Sequence, residues 1–139
     1  MGADELDLTG HTAVVTGASA GIGAATVRAL ASHGANVAFC ARNREGVDAL
    51  ASQLGDLAGG VHPFVADMAD GDSVAAFCDD VEGALGAPDI LVNNVGSSPS
   101  RNFLYMQDDE WEELFRLNLL SAVRCTRRFL PASLAKELA

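Results

Sequence analysis

The chain has 139 residues, 49% of them hydrophobic, and a formal net charge of −10. This length and apolar content suit one domain with a buried core and argue against disorder. The excess of carboxylates would repel a phosphate backbone, which argues against nucleic acid as a general partner. Cys40, Cys78 and Cys125 form no CxxC pair. Their spacing argues against a disulfide framework or a metal site and favours buried thiols in a reducing compartment.

Two further patterns bear on location. Asp4, Glu5 and Asp7 make the N-terminus acidic, which is not typical of a secretory signal peptide. Residues 12–27 carry no charge, but this stretch is too short to cross a membrane and is interrupted by glycines. We therefore expect a cytoplasmic protein with no membrane partner.

Predicted strands and helices alternate from the start of the chain. Residues 12–16 form a short apolar run that ends at Gly17, which predicts a buried parallel strand. A glycine-rich turn follows. The next stretch, residues 21–33, predicts a helix that Gly34 ends.

The same alternation continues through the middle of the chain. Residues 36–40 predict a second strand, and residues 44–54 predict a second helix with one apolar face. A third strand is predicted over residues 61–65. Asp70 can cap the third helix, where apolar residues recur at helical spacing up to Leu85.

The last third of the chain predicts one more strand and a long helical region. The strand covers residues 89–92, and the helical region begins at Asp108 or Asp109 and runs to about Leu130. Pro131 could kink or restart it. Strands separated by helices predict an α/β fold with right-handed crossovers, as one domain over residues 1–139. This would be a Rossmann-like, doubly wound parallel sheet of about four strands in the order 3-2-1-4, with helices on both faces.

The glycine-rich turn lies where an α/β fold places a phosphate. Exposed N–H groups and the helix dipole both favour an anion there. Gly17 permits the tight turn, Gly21 lets the backbone approach a pyrophosphate, and Gly23 lets the helix pack closely on the sheet. A turn without a ligand is the alternative, because a glycine pattern by itself is not specific.

Four features of the sequence are informative when they are taken together in chain order. Residues 16–23 read TGASAGIG, Asp67 follows the third strand, residues 93–96 read NNVG, and Asn118 lies in the last helical region. Together they resemble the signatures of the short-chain dehydrogenases/reductases, in which the third usually reads NNAG. The resemblance covers about residues 6–138. It implies a dinucleotide-binding fold and hydride transfer between a nicotinamide and a small-molecule carbonyl or alcohol.

The resemblance also implies roles for individual residues. Asp67 would hydrogen-bond the adenine, Met68 would supply a neighbouring backbone contact, and Asn118 would support a catalytic proton relay. The structural alternatives are that Asp67 caps nearby backbone, that Asn118 bridges a helix bend and that the amides of Asn93 and Asn94 pin the sheet edge. The residues implied in cofactor binding are Gly17, Ser19, Ala20, Gly21, Ile22, Gly23, Arg42, Asp67, Met68, Asn94, Val95 and Gly96.

The end of the second strand distinguishes NADP(H) from NAD(H). A carboxylate there would bind the ribose 2′-hydroxyl and repel a 2′-phosphate. The sequence instead has Arg42, whose guanidinium suits a phosphate. We therefore predict NADP(H), with NAD(H) as the less favoured cofactor. An ordinary solvated arginine is the alternative, and Ala20 stands where many NADP-preferring relatives carry a basic residue.

Most catalytic groups of the resembled family are absent from this sequence. By resemblance, a Tyr-x-x-x-Lys pair and a serine carry the chemistry, and the lysine lowers a tyrosine pKa that is ordinarily near 10. The only tyrosine, Tyr105, and the only lysine, Lys136, stand too far apart in the chain to form that pair. We therefore expect these residues by themselves to be inactive, either as a truncated form or as a fragment of a longer enzyme.

Three functions remain open at this point. The chain could be the cofactor-binding portion of an NADP-dependent oxidoreductase, a catalytically inactive dinucleotide-binding module, or a structural remnant that oligomerises. An apolar edge strand at residues 90–92 would tend to pair with another chain. An apolar helix face formed by Leu117, Leu120 and Val123 would favour a subunit interface. We therefore expect a homo-oligomer.

Overall fold

A computed structural model describes residues 6–57, 59–99 and 101–138; the acidic pair Asp4 and Glu5 lies outside this range. Within these residues, four strands and five α-helices follow one another along the chain. They are β1 (Thr12–Thr16), α1 (Gly21–Ser32), β2 (Asn36–Ala41), α2 (Arg44–Leu54), β3 (Val61–Val65), α3 (Gly71–Leu85), β4 (Ile90–Val92), α4 (Asp108–Phe115) and α5 (Ser121–Leu138). A 3₁₀ turn (Phe103–Tyr105) precedes α4, and a π turn (Arg116–Leu120) joins α4 to α5.

The four strands form one parallel sheet in the order β3-β2-β1-β4, which confirms the predicted fold and strand order. Strand β1 lies between two neighbours, and all five of its residues are buried. Strand β4 is the outermost strand on its side of the described sheet, and its three residues are half-buried. The candidate functional site described below therefore lies beside a well-packed β1.

Helices cover both faces of the sheet because successive strand residues point to opposite sides. On one face, Val15 and Phe39 pack with Val27 of α1 and Leu50 of α2. The other face uses the alternate strand residues, together with side chains of α3 and α5. This second cluster includes Val14, Ala38, Cys40, Phe77, Cys78, Cys125 and Phe129. Two apolar layers therefore hold the sheet between helices.

Local signals place most element ends within a residue of their predicted positions. The Asp70 side chain accepts a hydrogen bond from the backbone N–H of Asp72 at the start of α3. Gly34 has a φ of 98°, as expected for the residue that ends α1. Strand β2 extends one residue further than predicted, to Ala41.

The last helical region differs from the single helix that the sequence pattern predicts. In the π turn, the backbone N–H of Ser121 donates to the carbonyl of Arg116, five residues earlier. Pro131 lies inside α5, which continues to Leu138. The apolar face predicted from regular helical spacing is therefore incorrect at Leu117, which packs against the core.

The exposed apolar residues here include Phe115, Leu119 and Val123, with 58%, 54% and 41% of their surface accessible. The π turn accommodates one extra residue, so regular helical spacing does not describe which side chains share a face.

Among the described residues, no helix is long and apolar enough to cross a membrane.

Candidate functional site

A cavity of about 510 Å³ opens where the carboxyl ends of the strands meet. Its walls come from the turn after β1, the ends of β2 and β3, and the loop after β4. Strands β2 and β4 flank β1 on opposite sides, so this is the switch point at which open α/β sheets bind ligands. The predicted site residues that line it are Gly17, Ser19, Arg42, Met68, Asn94, Val95 and Gly96.

The turn after β1 depends on glycines with left-handed backbone conformations. Gly17 has a φ of 67° and Gly21 a φ of 59°, which side-chain-bearing residues rarely adopt. A Cβ at Gly17 would stand 3.0 Å from Val95 Cγ2, whereas a Cβ at Gly21 would meet no atom within 4 Å. Gly21 therefore leaves open space beside the start of α1.

Gly23 allows α1 to approach the segments that follow β1 and β4. A Cβ there would collide with the carbonyl oxygen of Gly17 and lie 2.6 Å from Asn94 Nδ2. The close approach is thus between α1, its own preceding turn and the loop after β4. Gly23 allows three segments of the site to meet.

The N-terminus of α1 is available to an anion. Its N-cap residue, Ala20, has no side chain that can accept a hydrogen bond from the first turn, and the first turn contains no acidic residue. By contrast, the Asn43 and Asp70 side chains cap α2 and α3. Among the described residues, no side chain caps the first N–H groups of α1 at the positive end of the helix dipole.

Thr16 and Asn94 fasten the loop after β4 to the end of β1. The buried hydroxyl of Thr16 accepts hydrogen bonds from the backbone N–H groups of Asn94 (3.1 Å) and Val95 (3.3 Å). The side-chain amide of Asn94 donates to the carbonyl of Gly17 at 3.0 Å. The structural alternative for Asn94, in which its amide pins the edge of the sheet, is therefore what the geometry shows. This role of Thr16 is not among those predicted from the sequence, although a hydroxyl at the end of an apolar strand could have indicated it.

Asn118 holds the loop after β4 from the other side. Its Oδ1 accepts a hydrogen bond from the backbone N–H of Ser97 at 2.9 Å, and its Nδ2 donates to the Ser97 carbonyl at 3.0 Å. The same Nδ2 donates to the Leu114 carbonyl at 2.9 Å, next to the π turn. Asn118 therefore bridges the helix irregularity and positions the loop that lines the cavity.

Asp67 and Arg42 lie near the ends of the neighbouring strands. Asp67 Oδ1 accepts from the backbone N–H of Ala69 at 3.0 Å, so its alternative role as a local cap is observed. The backbone N–H of Asp67 donates to the Ser73 hydroxyl at 2.8 Å, a contact that the sequence did not indicate. Arg42 is exposed at the cavity wall and forms no hydrogen bond or ion pair with the described residues. Its guanidinium is free to meet a ligand.

The three cysteines are buried free thiols, as predicted. Cys40 lies under the turn, and burial raises its pKa to about 12 even though a hydrogen bond with the Gly17 backbone opposes that shift. Such a thiol is protonated at neutral pH and is a poor nucleophile. The described residues contain no group of three or more His, Cys, Asp or Glu placed to hold a metal.

Tyr105 and Lys136 have different surroundings in the structure. Tyr105 is exposed in the 3₁₀ turn that follows the carboxyl end of β4. Lys136 Nζ lies 2.9 Å from Asp89 Oδ1 and donates to the Ala87 carbonyl, at the amino end of β4. These two residues therefore do not form a catalytic pair.

Comparison with known proteins resolves the family. The model of the short chain dehydrogenase family matches residues 11–137. The chain belongs to the short chain dehydrogenase family. Among its relatives is the uncharacterized oxidoreductase YvrD of Bacillus subtilis (strain 168), which is 39% identical over 133 residues, or 96% of this chain and 50% of that protein.

Solved structures of family members show the same architecture. The L-sorbose reductase of Gluconobacter frateurii, solved with NADPH and L-sorbose, superposes with a TM-score of 0.90 at 30% identity, covering 95% of this chain and 51% of that one. A metagenomic short-chain oxidoreductase solved with NADP gives a TM-score of 0.87 at 38% identity, covering 93% and 59%. The chain spans about half the length of these proteins.

Proposed function

We propose that these residues form the dinucleotide-binding part of an NADP(H)-dependent oxidoreductase that transfers hydride to or from a carbonyl or secondary alcohol. The observation that carries the proposal is the uncapped N-terminus of α1, which begins directly after the turn that lines a cavity at the switch point of the sheet. N–H groups without side-chain acceptors, together with a helix dipole, bind phosphate groups well. Bound there, the nicotinamide would supply or accept the hydride.

Different residues of the chain would bind different parts of the cofactor. The turn around Gly21 and the first N–H groups of α1 would hold the pyrophosphate, where open space adjoins the backbone. Asp67 would accept a hydrogen bond from the adenine, because within the described parts of the chain its Oδ1 is engaged by Ala69 and its Oδ2 is not engaged. Asn118 would keep the loop of residues 94–97 in place beside the cofactor and support a proton relay.

The preference for NADP(H) rests on Arg42. This residue follows β2 at the cavity wall and has no partner among the described residues. A guanidinium can bind a 2′-phosphate through two parallel hydrogen bonds. NADP(H) in the two related structures supports the same choice.

A second candidate function is binding without turnover by the 139 residues themselves. It is favoured by the separation of Tyr105 from Lys136, which leaves this sequence without a Tyr-x-x-x-Lys pair. We expect purified chain to bind NADPH but not to oxidise it in the presence of ketone substrates. Sustained NADPH oxidation by the pure chain, abolished by Gly23→Val, would overturn this second candidate.

Cofactor titrations test the main proposal. We expect NADPH to bind at least about tenfold more tightly than NADH, which corresponds to about 1.4 kcal/mol. Arg42→Asp should reverse this order by removing the phosphate ligand and adding a carboxylate that repels it. Arg28→Asp on α1 makes the same charge change at an exposed residue that does not line the cavity, so it should leave the preference intact. An unchanged preference in Arg42→Asp would refute the assignment.

We further propose that the chain self-associates. Phe115, Leu119 and Val123 expose apolar side chains on α4, the π turn and α5, and exposed apolar surface favours association where it forms a patch. Light scattering at micromolar concentration should give at least the mass of a dimer. Leu119→Glu should reduce that mass, and a monomeric wild-type chain would contradict the proposal.

A further inference from the structure

A second polar cavity lies away from the dinucleotide site, between the first half of α3 and α5. It has a volume of about 280 Å³. None of its lining residues is shared with the dinucleotide cavity. Those that matter here are Gly71, Val74 and Ala75 of α3 and Arg124, Arg127 and Arg128 of α5.

Arg124 is the unusual residue in this cavity. Its Nη1 is buried and has no hydrogen-bond partner among the residues that the structure describes. Its Cζ stands 3.3 Å from the point that a Cβ on Gly71 would occupy, so the guanidinium lies against the first residue of α3. A buried donor without a partner costs free energy, and the cost is larger for a charged group.

The charges around Arg124 do not compensate it. Arg128 is neutralised by Asp79 and Glu82, at 2.6 and 2.9 Å. Within the described parts of the chain, neither Arg124 nor Arg127 has a carboxylate oxygen within 4.0 Å.

The helix end beside Arg124 brings both signs of charge to the cavity. Helix α3 has 15 residues and begins at Gly71, so the positive end of its dipole meets the guanidinium. The Asp70 carboxylate caps this end by accepting a hydrogen bond from the backbone N–H of Asp72, and Asp72 is itself an acidic residue of the first turn. Arg124 and Arg127, which have no carboxylate partner among the described residues, therefore share the lining of this cavity in a chain whose net charge is −10.

We propose that this cavity binds a phosphate-type oxyanion. The Arg124 and Arg127 guanidinium groups of α5 would donate to the anion, while Val74 and Ala75 would form the opposite wall. Tetrahedral dianions suit this arrangement because each guanidinium can donate through two N–H groups. Since Arg127 is exposed, the anion could be free phosphate or the phosphoryl group of a larger molecule that extends into solvent.

Titration of the ¹⁵N-labelled chain with inorganic phosphate tests this site, with potassium chloride at matched ionic strength as the blank. Amide shifts should appear at Gly71 and Ala75, and they should persist when NADPH saturates the turn at residues 17–23. Glycerol phosphate forms a second arm: shifts in both arms indicate a phosphoryl group as ligand, and shifts with phosphate alone indicate the free anion. No saturable shift at Gly71 and Ala75 up to about 20 mM of either compound at low salt would overturn the proposal.

A variant separates binding from a purely structural role of Arg124. In phosphate-free buffer, Arg124→Leu should melt at or above the wild-type temperature, because it removes an unpaired charge. Phosphate at tenfold excess over its Kd should raise the wild-type Tm by about 4 °C and leave this variant unchanged. Arg116→Leu, which removes an arginine paired with Glu112 and Glu113, should keep the full phosphate response. An equal response in Arg124→Leu would refute the site.

Discussion

Thr16 and Asn94 lie 78 positions apart in the chain, and the Thr16 hydroxyl accepts a 3.1 Å hydrogen bond from the backbone N–H of Asn94. The same oxygen accepts from Val95, and Thr16 is only 1% exposed. One buried oxygen therefore satisfies two backbone donors where the loop leaves β4. This contact sets the position of the loop relative to the glycine-rich turn.

Thr16→Val should destabilise the fold while preserving side-chain volume. Two part-buried N–H groups would lose their acceptor, and leaving one buried donor unsatisfied costs about 1–3 kcal/mol. We expect the free energy of unfolding in urea to fall by about 2 kcal/mol or more, with weaker NADPH binding. Thr16→Ser keeps the acceptor and should retain the loop, so equal losses in both variants would argue against the hydroxyl as the cause.

Gly23→Ala and Gly83→Ala should have opposite effects although both glycines lie in helices. The new methyl group at Gly23 would collide with Gly17 and Asn94, whereas at Gly83 it would meet no atom within 4 Å. Replacing glycine by alanine inside a helix otherwise stabilises by about 0.8–1.0 kcal/mol. Thermal unfolding should therefore show a raised Tm for Gly83→Ala and a lowered Tm for Gly23→Ala. A raised Tm in both would mean that the contacts around Gly23 relax freely.

Asn118→Asp should weaken the clamp on Ser97. The change replaces an amide that donates to the carbonyls of Ser97 and Leu114 with a carboxylate that repels both. We expect a loss of about 2 kcal/mol in unfolding free energy and faster hydrogen exchange at the Ser97 amide. This exchange rate reports on the loop directly.

Asn102→Asp provides the matched control for that change. The Asn102 side chain only accepts a hydrogen bond there, from the backbone N–H of Leu104, and a carboxylate accepts equally well. This variant should be close to wild type in stability. If the two variants lose equal stability, the donor role of Asn118 is wrong.

Cys40 should make stability depend on alkaline pH. Its pKa is about 12 in the folded chain against an ordinary value of 9.0, with burial as the main cause. Below pH 9 the thiol is protonated in both the folded and the unfolded state, so it adds no pH dependence to the free energy of unfolding. Between pH 9 and pH 12 only the unfolded state loses the proton, so stability should fall as pH rises, by about 4 kcal/mol at most.

Urea unfolding at several pH values checks this behaviour. Cys40→Ala should be less stable at neutral pH because it leaves a cavity, but its alkaline slope should be shallower than that of wild type. Native-state alkylation at pH 8 should leave Cys40 unmodified, while unfolded chain should react. Rapid alkylation of Cys40 in the folded state would contradict the buried position.

The sequence by itself determined those features whose causes are local. The apolar run of β1 predicts a strand buried on both faces, and Asp70 and Gly34 predict the start of α3 and the end of α1. The strand–turn–helix order around residues 16–23 is also observed, because backbone conformation depends on neighbours in the chain. The anion site predicted there stays a prediction. Strand order also followed, since right-handed crossovers and the family resemblance restrict the topology.

Only the tertiary structure decided the features that join residues remote in the chain. The acceptor role of Thr16, the collision that Gly23 avoids and the clamp between Asn118 and Ser97 each need two segments in contact. The π turn likewise displaced Leu117 from the predicted exposed face, because hydropathy spacing assumes a regular helix. Composition shows that Arg124 is charged, but only packing of α5 on α3 leaves its Nη1 buried without a partner. Periodicity and capping depend on residues that are close together in the sequence. Whether a buried polar group finds a hydrogen-bond partner depends instead on how distant segments pack.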